Sequence, residues 1–369
     1  MIKILFLIHD LGQGGAEKVL VNLVNNMDQT KFDISVTALF GGGINEQFLA
    51  PHVHFRTIFS KQIPGNSKLM KLLTPKQLHK QYIKEHYDIE VSYLEGPSAR
   101  VISGCQDKGT KLVSWIHVEQ HTMERLSRSF RNEKEAVECY NRFDQTVCVS
   151  QFVYQDFCRL LEFQKPCRVL YNTVESDKIL ASSNEYAPGL ENCREVKLVA
   201  VGTLKESKGY MRLLQIMKRL CEENYSVHLY ILGIGPLQHK MEQYINENKL
   251  NDAVTFLGYQ TNPYKYVSKC DLFVCASFAE GFSTAATEAL IVGTPVCTVD
   301  VSGMKEMLGE NDEWGIVTEN GSEALYLGIK RLLDSPDLLV YYKRRAAIRG
   351  KDFYAKKTVK DVEEMLIQL

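Results

Sequence analysis

The chain has 369 residues, too many for one compact core at about 100–200 residues per domain, so two domains are expected. Hydrophobic residues at 45% and charged residues at 24% exclude disordered, collagen-like and membrane-embedded compositions. With 44 Lys plus Arg against 45 Asp plus Glu the formal net charge is -1, so no basic excess points to nucleic acid and any charge logic is local. The apolar run at 2–8 stops at His9-Asp10, too short for a secretory leader or for the roughly 20 apolar residues of a bilayer span. Similar short runs follow at 34–39, 89–93, 111–116 and 145–149, then at 197–201, 226–232, 254–257, 272–275, 295–299 and 315–317. Each leads through a glycine-rich or polar turn into a segment of 3.6-residue period, which predicts parallel strands joined by crossover helices. The pattern runs twice. Between the two sets, a polar aperiodic stretch containing Ser182-Ser183-Asn184 and Ala187-Pro188-Gly189 reads as a linker. The expected organisation is therefore α/β: a doubly wound domain over 1–175, a linker over 176–195, a second doubly wound domain over 196–351 and a closing helix over 352–369, where Val359, Val362, Met365 and Leu366 fall at helical spacing. The ten cysteines are scattered without a CxxC pair and read as reduced thiols, Cys148 and Cys275 as small buried hydrophobes rather than zinc ligands.

Open α/β sheets bind ligands outside the carboxyl ends of their strands, so chemistry is expected in the βα turns. The first turn, His9-Asp10-Leu11-Gly12-Gln13-Gly14-Gly15-Ala16-Glu17, enters a helix with Val19, Leu20, Leu23 and Val24 on one face. Its glycines let amides approach an anion at a helix start, or simply make a tight turn. The spacing is not G-x-G-x-x-G, which argues against a dinucleotide-dependent oxidoreductase. The second half opens with Val201-Gly202-Thr203-Leu204-Lys205-Glu206-Ser207-Lys208-Gly209, where Lys208 is either a solvated side chain or a cation for a diphosphate. Gly233-Ile234-Gly235-Pro236 is a further glycine-rich strand exit, with Pro236 suited to a first helical turn. In Glu280-Gly281-Phe282-Ser283-Thr284-Ala285-Ala286-Thr287-Glu288, Ser283 or Thr284 is the expected N-cap, placing Glu280 in the loop and Glu288 in the helix. Two carboxylates then face a polyol at different depths, and the free amides between them suit a phosphate. No Asp-x-Asp occurs, so no metal site is expected.

From Arg56 to Lys84 the chain carries Lys61, Lys68, Lys71, Lys76 and Lys80 and no Asp or Glu. Thr74-Pro75 starts a helix on which Lys76, Lys80 and Lys84 form one stripe beside Leu78 and Tyr82. This is either a solvated face or a surface for an anionic leaflet, at about 1 kcal/mol per lysine.

The Glu280-x7-Glu288 spacing, Gly202 with Lys208-Gly209, Gly233-Ile234-Gly235-Pro236 and Gly14-Gly15-Ala16-Glu17, in this order, resemble the retaining glycosyltransferases of family 4, over essentially the whole chain. The resemblance implies the GT-B architecture: two Rossmann-like domains facing across a cleft, with the closing helix returning to the first. It implies transfer from a nucleotide-diphosphate sugar, UDP favoured, with retention and with the leaving phosphate taking the acceptor proton, and no other cofactor. Carried over residue by residue, Glu288 binds the ribose diol, and Glu280 faces the transferred sugar beside the backbone of Gly281, Phe282, Ser283 and Thr284. Lys208 contacts the diphosphate together with amides at Gly14 and Gly15. Gly202, Thr203, Gly233 and Gly235 line the donor, and His117 touches the donor sugar. One position departs from the family: Gly202-Thr203 stands where Gly-Arg is usual, so Thr203 replaces the arginine, with Lys205 the nearby cation. Because the basic block falls in the acceptor domain, the expected acceptor is a glycan or polyprenyl-diphosphate-linked sugar, the expected partner surface an anionic membrane through Lys68, Lys71, Lys76, Lys80 and Lys84, and the expected location the cytoplasmic face. An epimerase of the same fold, and a non-catalytic sugar- or membrane-binding relative, stay open on these residues.

Overall fold

The computed structural model describes residues 1–12, 14–61, 70–162, 165–190, 195–279, 282–301 and 303–369. They form two compact units, one of Met1–Val174 with Ala355–Leu369, the other of Glu175–Tyr354. The first holds β1 (Ile2–Ile8), β2 (Phe32–Phe40), β3 (His54–Phe59), β4 (Ile89–Ser92), β5 (Lys111–Ile116), β6 (Gln145–Cys148) and β7 (Cys167–Val169), in spatial order β3-β2-β1-β4-β5-β6-β7. The second holds β8 (Val196–Val201), β9 (Val227–Leu232), β10 (Val254–Gly258), β11 (Leu272–Cys275), β12 (Val296–Val299) and β13 (Ile316–Thr318), ordered β10-β9-β8-β11-β12-β13. All pairings are parallel. Counted within each unit, the second sheet runs 3-2-1-4-5-6, the doubly wound order, the first repeats it with a seventh strand added at the end, and both reverse direction beside their first strand. Those reversals lie between β1 and β4 and between β8 and β11.

The apolar runs dictate this arrangement. Ile4, Leu5, Phe6, Leu7 and Ile8 of β1 are all fully buried, which requires cover on both faces and hence crossover helices rather than hairpins. Helix Gly15–Asn26 supplies part of that cover with Val19, Leu20, Leu23 and Val24, as its spacing predicts. Cys148 and Cys275 are buried strand residues.

Three local features differ from expectation. Strands β3 and β7 carry no continuous apolar run: each pairs on one side only, and their residues are half-buried or exposed. An edge strand needs less apolar surface, so its sequence signal fades. The segment expected as a linker opens with helix Ser176–Ser183, which buries Ile179 and belongs to the second unit. Its polar appearance comes from serines whose carbonyls are used: Asn262 donates to the Ser182 oxygen at 2.9 Å and Ser268 Oγ to the Ser183 oxygen at 2.9 Å. The closing helix spans Ala355–Ile367 after a 3-10 turn, Gly350–Phe353, and packs in the first unit with Val359, Val362, Met365 and Leu366 buried. Glu363 Oε1 there accepts the Asp28 amide at 2.6 Å.

Candidate active site at the strand exits

In the second unit the chain leaves β8 at Gly202 and makes a 3-10 turn, Glu206–Lys208, before helix Tyr210–Glu222. Gly209 has φ +68°, and a Cβ there would overlap the Ala276 carbonyl oxygen, so only glycine lets this turn lie against the exit of β11. Lys208 is thereby delivered to a recess that it lines with Val201, Tyr210, Ala276, Ser277 and Ser283. Tyr210 Oη donates to the Gly202 carbonyl at 3.1 Å, tying the turn to the strand end. Gly233 and Gly235 are also demanded by local packing. A Cβ on either would overlap the backbone of Gly202 or Leu204, and the two exits are stitched by Leu204 N to Ile234 O at 3.1 Å and Leu237 N to Leu204 O at 3.0 Å. Their demand for glycine is met by the protein's own packing. Pro236 lies in the turn, since the following helix starts only at Gln238.

Helix Thr284–Ile291 begins on the far side of this recess. Ser283 is its N-cap, its side chain accepting from the Ala286 amide, and the cap aims the helix start at the β8 exit. Phe282 turns its ring into the core against Phe353 at 5.9 Å, leaving only its backbone for a ligand. Glu288 is half-buried, and Tyr264 Oη donates to its Oε1 at 3.2 Å, which fixes the carboxylate's direction. Glu280 and Gly281 lie outside the described residues. Thr203 and Lys205 are exposed. Arg212, which the sequence reading missed, is buried on helix Tyr210–Glu222 and donates to the carbonyls of Ala276 and, at 3.1 Å, Ser277, with its guanidinium 4.3 Å from the Phe278 ring centroid. It clamps the β11 exit from beneath. A buried arginine at helical spacing looks like any other helical arginine in sequence, so no signal marked it; Tyr264 was hidden in the same way.

In the first unit Gly14 is the N-cap of helix Gly15–Asn26, and space around Gly15 is open. The Glu17 carboxylate folds over Gly14, and burial raises its pKa. The helix start expected for an anion therefore already carries a carboxylate close by. His117 leaves β5 with its ring buried against Tyr93, centroids 4.9 Å apart. Its Nε2 is buried without a hydrogen-bond partner, and burial pulls its pKa down to about 3. The ring is hydrogen-bonded to the Tyr93 backbone, so the neutral imidazole keeps Nε2 as an acceptor. Beside it Glu95, also missed, accepts from the His117 amide at 3.1 Å and from Gln120 Nε2 at 3.4 Å, with burial raising its pKa. His117 and Glu95 thus flank the exits of β4 and β5, next to the reversal point of this sheet.

The basic segment is less regular than its spacing suggests. Thr74 and Gln77 form a capping box at the start of helix Pro75–Tyr82, with Pro75 at its first position. Lys76 and Lys80 are exposed on it, whereas Lys84 lies past its end and folds back to the Lys80 carbonyl at 2.9 Å. Leu78 and Tyr82 point into the core, Lys71 is half-buried, and Lys68 lies outside the described residues.

Comparison with known proteins gives two family matches. Residues 13–178 match the model of Glycosyltransferase Family 4, and residues 185–349 that of Glycosyl transferases group 1. A Campylobacter jejuni protein named N-acetylgalactosamine-N,N'-diacetylbacillosaminyl-diphospho-undecaprenol 4-alpha-N-acetylgalactosaminyltransferase is 28% identical over 381 residues, covering 100% of both chains. Among solved structures, Anabaena HepE in complex with UDP aligns at TM-score 0.79 and 20% identity over 100% of both chains. The lipopolysaccharide outer core galactosyltransferase WaaB aligns at TM-score 0.74 and 17% identity over 100% of this chain and 99% of its own. These structural likenesses speak for the fold.

Proposed function

The chain belongs to the glycosyltransferases of family 4 and group 1, with their two Rossmann-like units, and from that premise we propose that it moves a sugar from UDP to a lipid-linked glycan with retention of configuration and without a metal ion. The observation that carries the reading is the meeting of Lys208, the β11 exit and the Ser283-capped helix start on one recess at the reversal point of the second sheet. A positive side chain and the positive end of a helix there suit a diphosphate, and Glu288, aimed by Tyr264, suits a ribose diol. The same reading assigns Gly202, Thr203, Gly233 and Gly235 to the donor's surroundings at the neighbouring strand exits. Glu280, with the backbone of Gly281, Phe282, Ser283 and Thr284, faces the sugar.

The reaction breaks the bond between the anomeric carbon and the diphosphate oxygen and forms one to the acceptor oxygen on the same face. The acceptor proton passes to the leaving phosphate, so no protein nucleophile is needed. Lys208 and the amides at the start of helix Thr284–Ile291 offset the charge that grows on the departing UDP. Neutral His117 accepts a hydrogen bond from a sugar hydroxyl through Nε2. The named relative in Campylobacter jejuni supports a diphospho-undecaprenol-linked acceptor. The exposed Lys76 and Lys80, with Lys71, Lys84 and Lys68, suit an anionic leaflet on its cytoplasmic side. No helix among the described residues is long and apolar enough to cross a membrane.

Thermal stability measured with UDP, GDP and ADP, without metal and then with Mg²⁺, tests the reading, because a ligand that binds only the folded state raises Tm by mass action. UDP raises Tm without metal, and Glu288→Ala removes the rise. A Tm unmoved by all three nucleotides rules the donor site out, and a rise that needs Mg²⁺ rules out metal independence.

A further inference from the structure

The first unit holds a cluster that the transfer reaction leaves unused. His79 on helix Pro75–Tyr82, Glu90 on the central strand β4 and Cys105 bring one imidazole nitrogen, one carboxylate oxygen and one sulfur within 4.8 Å of one another. His79 Nε2 and Glu90 Oε2 are 2.8 Å apart. Glu90 and Cys105 are buried at 2% exposure each, while the His79 side chain keeps 15% and opens the cluster to solvent. A second feature shows how tightly the parts are drawn together. A Cβ on Gly104 would overlap the Pro75 carbonyl and lie 2.9 Å from His79 Cβ, so glycine there lets the segment carrying Cys105 lie directly on the histidine helix.

We propose that His79, Glu90 and Cys105 form a zinc site, with a water as fourth ligand on the His79 side. Tetrahedral zinc with bonds of about 2.0–2.3 Å needs ligand atoms about 3.3–3.7 Å apart, so zinc opens the His79–Glu90 pair by roughly half an ångström and draws in a sulfur that already lies within 4.8 Å of both partners. A thiol and an imidazole disfavour calcium and magnesium, which take oxygen ligands, and suit a borderline cation. Charge balances as well. Zn²⁺ enters against the thiolate and the carboxylate, and the thiol proton and the proton shared by the histidine pair leave to solvent, so the buried site ends neutral. Glu90 is near the start of β4, whereas the reaction site lies past strand ends, so this metal fastens helix Pro75–Tyr82 to the sheet and takes no part in the chemistry.

Cobalt(II) titration of chelator-stripped, reduced protein reads the site, since a thiolate on tetrahedral cobalt gives a charge-transfer band and intense visible absorption. One equivalent is bound, zinc displaces it, and zinc raises the Tm of the stripped protein. Cys105→Ser and His79→Gln, checked for folding by circular dichroism, each lose the band. Among the described residues, the thiol cluster around Cys167, whose sulfur lies 3.7 Å from that of Cys148, could also take a metal and provides the control, and Cys167→Ser keeps the band. No band at one equivalent overturns the site. So does a band that survives both Cys105→Ser and His79→Gln, or one lost in Cys167→Ser.

Discussion

His117 is held neutral by burial, and that choice has a cost that pH reveals. Its pKa falls to about 3 in the folded protein because the ring is desolvated, against about 6.5 in an unfolded chain. Above about pH 6.5 neither state binds the proton and the full stability is present. As pH falls from there towards 3, the unfolded chain takes up a proton that the folded one refuses, and stability drops by about 1.4 kcal/mol per pH unit from this group. Tm measured from pH 8 to pH 5, above the main carboxylate range, therefore falls more steeply in the wild type than in His117→Gln; parallel curves contradict the burial argument. The same scale separates the glycines. Gly209 is demanded by a left-handed φ and by the Ala276 carbonyl, while Gly15 faces open space and is free of any packing demand. Spacing singled out both residues, but only coordinates tell a glycine required by the fold from one available to a ligand.

Among elements, Arg100 joins helices of the first unit through its buried guanidinium. It is 1% exposed, pairs with Glu135 through two bonds at 2.9 and 3.0 Å, and donates to the carbonyls of Met70 and Leu73 at 2.7 Å each. It thus joins helix Pro97–Ile102 to helix Glu133–Tyr140 and to the approach of the lysine-bearing helix. Arg100→Met leaves two carbonyls without this donor and the Glu135 carboxylate with only the Arg131 amide as donor, and lowers the unfolding free energy in urea by about 3–5 kcal/mol. Lys218→Ala, which removes an exposed pair with Glu222 at 3.8 Å, costs under about 1 kcal/mol. Equal losses in the two variants refute the assignment. Arg100 drew no attention in sequence because a lone arginine four residues from a helix start looks solvated; the buried carbonyls it satisfies come from segments 27 and 30 residues away.

On the scale of the whole chain, the last helix is part of the first unit although 180 residues of the second, from Glu175 to Tyr354, separate it from Val174. Its apolar face and the Glu363 bond to Asp28 close that unit. A chain ending at Tyr354 loses hydrogen-exchange protection in β1 and in helix Gly15–Asn26 while β8 and β9 keep theirs; unchanged protection in both places refutes the helix's role. The alternation of apolar runs with helical periods was by itself enough to determine two doubly wound units, because a strand buried on both faces must be apolar throughout. The turns' glycines, Lys208 and the Ser283 cap were legible for a related reason: strand exits and helix starts require particular residue types at short range. Tertiary structure alone decided the edge strands, the helix at 176–183, the packing duty of Gly233 and Gly235, the clamp of Arg212, the aim of Glu288 by Tyr264 and the meeting of His79, Glu90 and Cys105. These depend on which distant segments touch, and no local pattern of charge or hydrophobicity encodes a partner that the fold alone brings near.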